Sequence, residues 1–99
     1  MKILLVCNAG MSTGIMRIKL EEEAEKRGLN ATVNAVPMST LDDNAEGADI
    51  ILLGPQIRFA LKDIQNSYGN KAAVMVIKPQ DFGQMKATKV LDEALALLD

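Results

Sequence analysis

The chain contains no histidine and no tryptophan, and only one cysteine, Cys7. Without histidine the commonest general base and metal ligand is missing, so Ser-His and Cys-His nucleophile pairs and zinc sites fail before any geometry is considered. Chemistry must come from the thiol, hydroxyls, carboxylates, cations and the backbone. A lone cysteine allows no intramolecular disulfide and suits a reducing compartment, and no secretory signal is recognisable, so a cytoplasmic location is expected. Aromatics are scarce too: Phe59, Tyr68 and Phe82 are the whole set. With 11 Lys+Arg against 13 Asp+Glu and a formal charge of −2, there is no cationic surplus for a polyanion and little to stack on bases. Nucleic acid is not an expected partner. Apolar runs such as residues 3–7 and 50–53 fall far short of the roughly 20 residues a membrane-spanning helix needs, so no membrane insertion is expected. No acids cluster at metal-ligand spacing, and neither a metal nor a cofactor is expected.

What is present is 99 residues, 48% hydrophobic and 24% charged, enough for one core and too little for two, so residues 1–99 are read as a single domain. Residues 2–6 form an apolar run followed by small residues, which suits a strand buried on both faces of a parallel sheet. Over 12–27, Met16, Leu20 and Ala24 recur at helical spacing with charges opposite; Ser12 or Thr13 offers an N-cap and Gly28 the stop. Residues 31–36 read as a second strand, followed by a short helical stretch up to Gly47. Residues 49–53 are a third strand closed by Gly54-Pro55, with a helix marked by Ile57, Ala60, Leu61 and Ile64 after it. Residues 73–77 make a fourth strand, 78–83 a loop, and Ala87, Val90, Leu91, Ala94, Leu95 and Leu98 the apolar face of a last helix. Strands alternating with helices, and no hairpin dipeptide between strands, predict an α/β fold. It is a doubly wound four-stranded parallel sheet with helices on both faces, of phosphatase-like or flavodoxin-like topology.

In such a fold the site lies at the carboxyl ends of the strands, and the loop after the first strand is part of it. That loop is Cys7-Asn8-Ala9-Gly10-Met11-Ser12-Thr13-Gly14. Its small residues let successive N–H groups turn inward, and the helix that follows adds its positive end, so the loop is a cradle for an anion such as a phosphoryl group. The same field favours the nucleophilic thiolate. A single cysteine is more often a small buried hydrophobe. Here its place, leaving a buried strand and entering a helix N-terminus, favours the reactive reading.

The run CNAGMSTG resembles the Cys-x-Ala-Gly-Met-Ser-Thr-Ser phosphorylation loop of the IIB components of the bacterial phosphoenolpyruvate-dependent sugar phosphotransferase system, lactose/cellobiose/chitobiose class. Residues 48–57, ADIILLGPQI, resemble that family's second signature, a strand ending in Leu-Gly-Pro-Gln-Ile, and length and element order agree over essentially the whole chain. The resemblance implies a phosphotransferase. Cys7 would accept a phosphoryl group from a phosphohistidine on a separate IIA protein and pass it to a sugar held by a membrane IIC permease, the sugar being a β-linked disaccharide such as cellobiose, chitobiose or lactose. It also implies peripheral docking on that IIC protein. Asn8, Ala9, Gly10, Met11, Ser12, Thr13 and Gly14 would bind the phosphoryl oxygens, and Pro55, Gln56, Ile57, Lys78 and Phe82 would form the partner-facing rim. Two departures stand out: Gly14 replaces a common serine, and residues 77–83, IKPQDFG, replace an Ile-Asp-Ser stretch followed by Tyr-Gly.

The other motifs have simpler readings. Asp81-Phe82-Gly83 is a coincidental match to a kinase triplet. Glu21, Glu22 and Glu23 with Lys26 and Arg27 are a solvated helix face with pairs such as Glu22 to Lys26. Asp42 and Asp43 belong to a short helix's first turn. The methionines are mostly core filler, Met11 excepted. A low-molecular-weight tyrosine phosphatase or arsenate reductase also places a cysteine in such a loop, but needs an arginine six positions later, where Thr13 stands. A receiver domain needs a phospho-accepting aspartate at the end of a central strand, whereas Asp49 opens its strand. A noncatalytic anion-binding regulatory module with a structural cysteine is the remaining alternative.

Overall fold

In the computed structural model, which describes residues 1–8 and 11–98 and leaves the side chains of Met11 and Ser12 undescribed, the chain alternates strand and helix. The strands are β1 (Lys2–Cys7), β2 (Thr32–Pro37), β3 (Ile50–Leu53) and β4 (Ala73–Val76). The helices are α1 (Met11–Lys26), α2 (Leu41–Asn44), α3 (Leu61–Tyr68), α4 (Pro79–Gly83) and α5 (Ala87–Ala96), with 3₁₀ turns at Met38–Thr40 and Pro55–Ala60. All strand pairs are parallel, in the order β2-β1-β3-β4. The chain moves from β1 to one neighbour and then to the other, so the connections after β1 and β3 diverge and open a crevice at their carboxyl ends. Among the described residues no helix is long and apolar enough to cross a membrane.

Strand alternation divides the apolar residues between two cores, one on each sheet face. Ile3, Leu5, Ile50 and Leu52 pack with Met16, Leu20 and Ala24 of α1 and Val90, Leu91 and Ala94 of α5. Leu4, Val6, Ile51 and Leu53 pack with Leu41, Ile57, Ala60 and Ile64. β1 from Ile3 onward and the whole of β3 are therefore apolar and buried because both faces are covered, whereas the edge strand β2 buries only Val33 and Val36. α1 ends where expected, with Gly28 at φ +73 supplying a conformation that a Cβ disfavours.

Three expectations are corrected. Residues 79–83 are a helical turn rather than a loop; Pro79 sits in its first turn, where a missing N–H costs nothing. Leu98 lies beyond α5 and is exposed, so the apolar face of that helix is shorter than its sequence suggests. The methionines, by contrast, are mostly core filler as expected: of those with described side chains, Met16 is fully buried, Met38, Met75 and Met85 are half-buried against the cores, and Met1 is exposed. The ion pairs on α1 are Arg17–Glu21 and Glu23–Arg27, both at 2.9 Å, in place of Glu22 with Lys26. Arg27 also reaches Asp92 at 2.7 Å and the Thr88 carbonyl at 3.0 Å, so this charged run ties α1 to α5.

Candidate functional site

Cys7 closes β1, the inner strand where the chain reverses its direction of winding. On one side it registers with Pro37 of β2. On the other, the Gly54 N–H donates to the Val6 carbonyl at 2.9 Å, which carries the β1–β3 ladder one step past the end of β3. Alternation places the Cys7 side chain on the same sheet face as Ile3 and Leu5, the face that α1 covers. Thr13, in the first turn of α1, meets it there: Cys7 Sγ and Thr13 Oγ1 are hydrogen-bonded, both side chains buried. This contact sets the N-terminal turn of a sixteen-residue helix against the thiol, the arrangement in which unpaired helix N–H groups favour an anion.

Gly54 is the counterpart of Thr13 from the other strand. A Cβ built on it would lie 3.2 Å from Cys7 Cβ and 2.8 Å from Gln56 Oε1. A side chain here would push on the cysteine, and glycine lets the β3 connection pass this close without displacing it. Gly54 closes the third strand and belongs to the Leu-Gly-Pro-Gln-Ile stretch, as the sequence suggests; how closely its backbone approaches the Cys7 side chain is a tertiary fact.

The remaining site residues separate into distinct groups. Asn8 is exposed at the end of β1, and Ala9 and Gly10 lie outside the described residues, as do the side chains of Met11 and Ser12. Thr13 contacts the thiol rather than serving as an N-cap, because the helix has already begun at Met11. At Gly14 an added Cβ would meet nothing within 4 Å among the described residues, so there is room for a serine. Of the rim, Gln56 and Lys78 are exposed and Pro55 is half-buried. Lys78 Nζ lies 3.4 Å from Glu93 Oε1 of α5. Ile57 and Phe82 are corrections: they are 0% and 5% exposed, each anchored in a core, so their side chains support the rim from beneath. Asp49 sits at the opposite end of β3 from Gly54, which removes the receiver-domain geometry.

The lactose/cellobiose-specific IIB subunit of the PTS system matches residues 2–93. The chain belongs to this family. It is 33% identical over 98 residues to the oligo-β-mannoside-specific EIIB component of Bacillus subtilis, covering 98% of this chain and 95% of that protein. It is equally identical, over 103 residues and with the same coverage, to the cellobiose-specific EIIB component of Lactococcus lactis. The solution structure of the cellobiose-specific IIB component from Borrelia burgdorferi superposes with a TM-score of 0.77 at 35% identity, covering 98% of this chain and 90% of that one. The lactose-specific IIB domain from Streptococcus pneumoniae has a TM-score of 0.82 at 16% identity, covers 95% of this chain and 96% of that one, and shows the shared fold. As a IIB component of this class, the protein is a phosphotransferase of a sugar uptake system that works with IIA and IIC partners.

Proposed function

We propose that Cys7 is the phosphoryl carrier of this IIB component. The observation that supports this most is the thiol held at the carboxyl end of β1 between Thr13 of α1 and the bare backbone of Gly54. In the first step the sulfur attacks phosphorus on the phosphohistidine of a IIA protein. The S–P bond forms as the N–P bond breaks, and the electron pair returns to the imidazole, which can be reprotonated. In the second step a sugar hydroxyl held by the membrane IIC protein attacks the phosphocysteine. An O–P bond forms, the S–P bond breaks, the sulfur leaves as thiolate and the hydroxyl proton goes to a base on the acceptor or to water. Backbone N–H groups across residues 8–14 hold the phosphoryl oxygens, and the exposed Gln56 and Lys78 contribute to the rim that partners meet. The sugar is a β-linked disaccharide, in line with relatives named for cellobiose and oligo-β-mannosides, and the protein works on the cytoplasmic side of the IIC protein.

Thr13 also bears on the phosphatase alternative. It stands where that chemistry needs an arginine fork, and its hydroxyl is engaged with the thiol. A carrier has to hold its phosphoryl group without helping water to remove it. Intact-mass spectrometry after incubation with phosphoenolpyruvate, the general phosphotransferase proteins and a lactose/cellobiose-class IIA protein should show one added phosphoryl group, lost in Cys7→Ser. Multiple turnover of an aryl phosphate that disappears in Cys7→Ser would instead establish a phosphatase.

A further inference from the structure

We propose that Phe59 is the apolar anchor that seats the phosphohistidine-bearing IIA donor, with Arg58 beside it drawing in the donor's phosphorylated face. The proposal rests on the phosphocysteine reading and names a contact that reading leaves open. Among the described residues Phe59, at 71% exposed, stands well above the other exposed large apolar side chains, of which the next is Leu97 at 52%. Its backbone is nevertheless fixed. The 3₁₀ segment Pro55–Ala60 that carries it buries Ile57 completely and Ala60 almost so, and the Ile57 N–H donates to the Gly54 carbonyl at 3.0 Å. A rigidly presented aromatic loses little freedom when a partner covers it, which is the property of an interface hot spot.

Place and charge select the occupant. The segment springs from Gly54, whose backbone lies against Cys7, so a protein that brings a reacting group to the sulfur arrives beside this turn. Arg58 is exposed next to Phe59, and among the described residues it has no ion pair. A donor arrives carrying a phosphoryl dianion, whereas an acceptor presents an uncharged sugar hydroxyl; a cation beside the anchor therefore complements the donor. Leu97 provides the contrast. It is exposed too, but it lines a recess with Gly69, Ala72 and Ala73, at the start of β4 and away from Cys7.

The test is steady-state phosphoryl transfer from a phosphorylated lactose/cellobiose-class IIA protein through wild type, Phe59→Ala, Arg58→Gln and Leu97→Ala to sugar on IIC-containing vesicles, with the IIA and IIC steps also timed separately and with iodoacetamide alkylation of Cys7 as a measure of the intact site. Phe59→Ala should raise the KM for the donor tenfold or more while leaving kcat and the alkylation rate within about twofold. Arg58→Gln should raise KM a few-fold at low salt and lose that effect at high salt, and Leu97→Ala should match wild type. An unchanged KM in Phe59→Ala overturns the anchor, as does a fall in kcat or alkylation, which would mean that Phe59 acts on the thiol. A defect confined to transfer onward to the sugar overturns the choice of donor. If wild type itself takes up no phosphoryl group, the carrier reading falls first; if it does and only the Phe59 effect is missing, the carrier reading stands alone.

Discussion

The two ends of the sheet are built from the same four strands and are opposite in character. At the amino end the strand beginnings are tied by polar contacts. The Lys2 N–H donates to Asp49 Oδ2 and the Asp49 N–H to the Lys2 carbonyl, both at 2.8 Å, while Lys2 Nζ reaches the Glu46 carbonyl and the N-terminal ammonium reaches that of Asn30. Tyr68 there hydrogen-bonds Asp42 beside a recess of about 520 Å³ whose lining includes Glu46, Asp49 and Lys71. At the carboxyl end are small residues, a buried thiol against a threonine, a glycine where a Cβ would press on the cysteine, and a bare phenylalanine. Polar ties at one end give stability; tight packing at the other positions one atom.

The contrast breaks most sharply if the sulfur is replaced. Cys7→Ser keeps the size of the side chain but presents a hydroxyl, a much weaker nucleophile at neutral pH, and phosphoryl transfer should fall by about 10³-fold or more. The thermal unfolding midpoint should stay within a few degrees. Transfer above background in a reconstituted sugar phosphorylation assay would remove Cys7 from the reaction.

A matched pair of substitutions at the two ends of β3 comes next. Gly54→Ala forces a methyl against Cys7 and should cost about 1–3 kcal/mol of stability by overpacking. It should also slow transfer by tenfold or more, because the sulfur is displaced. Asp49→Ala removes the bond to the Lys2 N–H and should cost about 0.5–1.5 kcal/mol with transfer unchanged. Urea titration and transfer rates on the same samples separate the two, and equal transfer rates would show that the ends are not specialised. Thr13→Val, which keeps volume and loses the hydroxyl beside the sulfur, should slow transfer by about tenfold at a smaller stability cost.

Much of this arrangement was legible in the sequence, because its cause is local. Residues 3–6 of β1 and all of β3 are apolar since each side chain meets one core or the other, and Cys7 is the residue on which the first of these strands ends. What escaped was tertiary or too short to have a period. The turn at Pro79–Gly83 offers one proline and no repeat. Spacing alone allows several glutamate–cation pairs on α1, and the choice of Glu23 with Arg27 is made by Thr88 and Asp92 on α5. Ile57 and Phe82 follow the strands as rim residues should, yet their size takes them into the cores. The sequence singles out Phe59 only as one of three aromatics, and its exposure follows from Ile57 and Ala60 taking the inward positions of the turn.

The smallest expected effect tests whether the ends are independent. α1 carries Thr13 at its start and the Glu23–Arg27 pair at its finish. The Glu23 carboxyl is held below its ordinary value of 4.5, first by its hydrogen bond from Arg27 and then by that from Thr88. The Arg27 guanidinium is held above its ordinary value by Glu23 and then Asp92, so its own charge is constant throughout the acid range and the titration there belongs to the carboxyl. A carboxyl with a lowered folded value gives stability that is present above 4.5 and is lost as pH falls through the folded value. Glu23→Gln should therefore be slightly less stable than wild type at pH 7, with a gap that narrows in salt because the pair is at the surface. The gap should close as pH drops below 4.5, where wild type loses the same charge. Urea midpoints of both proteins across that range measure it, and phosphoryl transfer at pH 7 should be the same for the two. A gap that persisted in acid would assign the effect to shape rather than charge, and a change in transfer would mean that α1 conveys a disturbance at its finish to the thiol at its start.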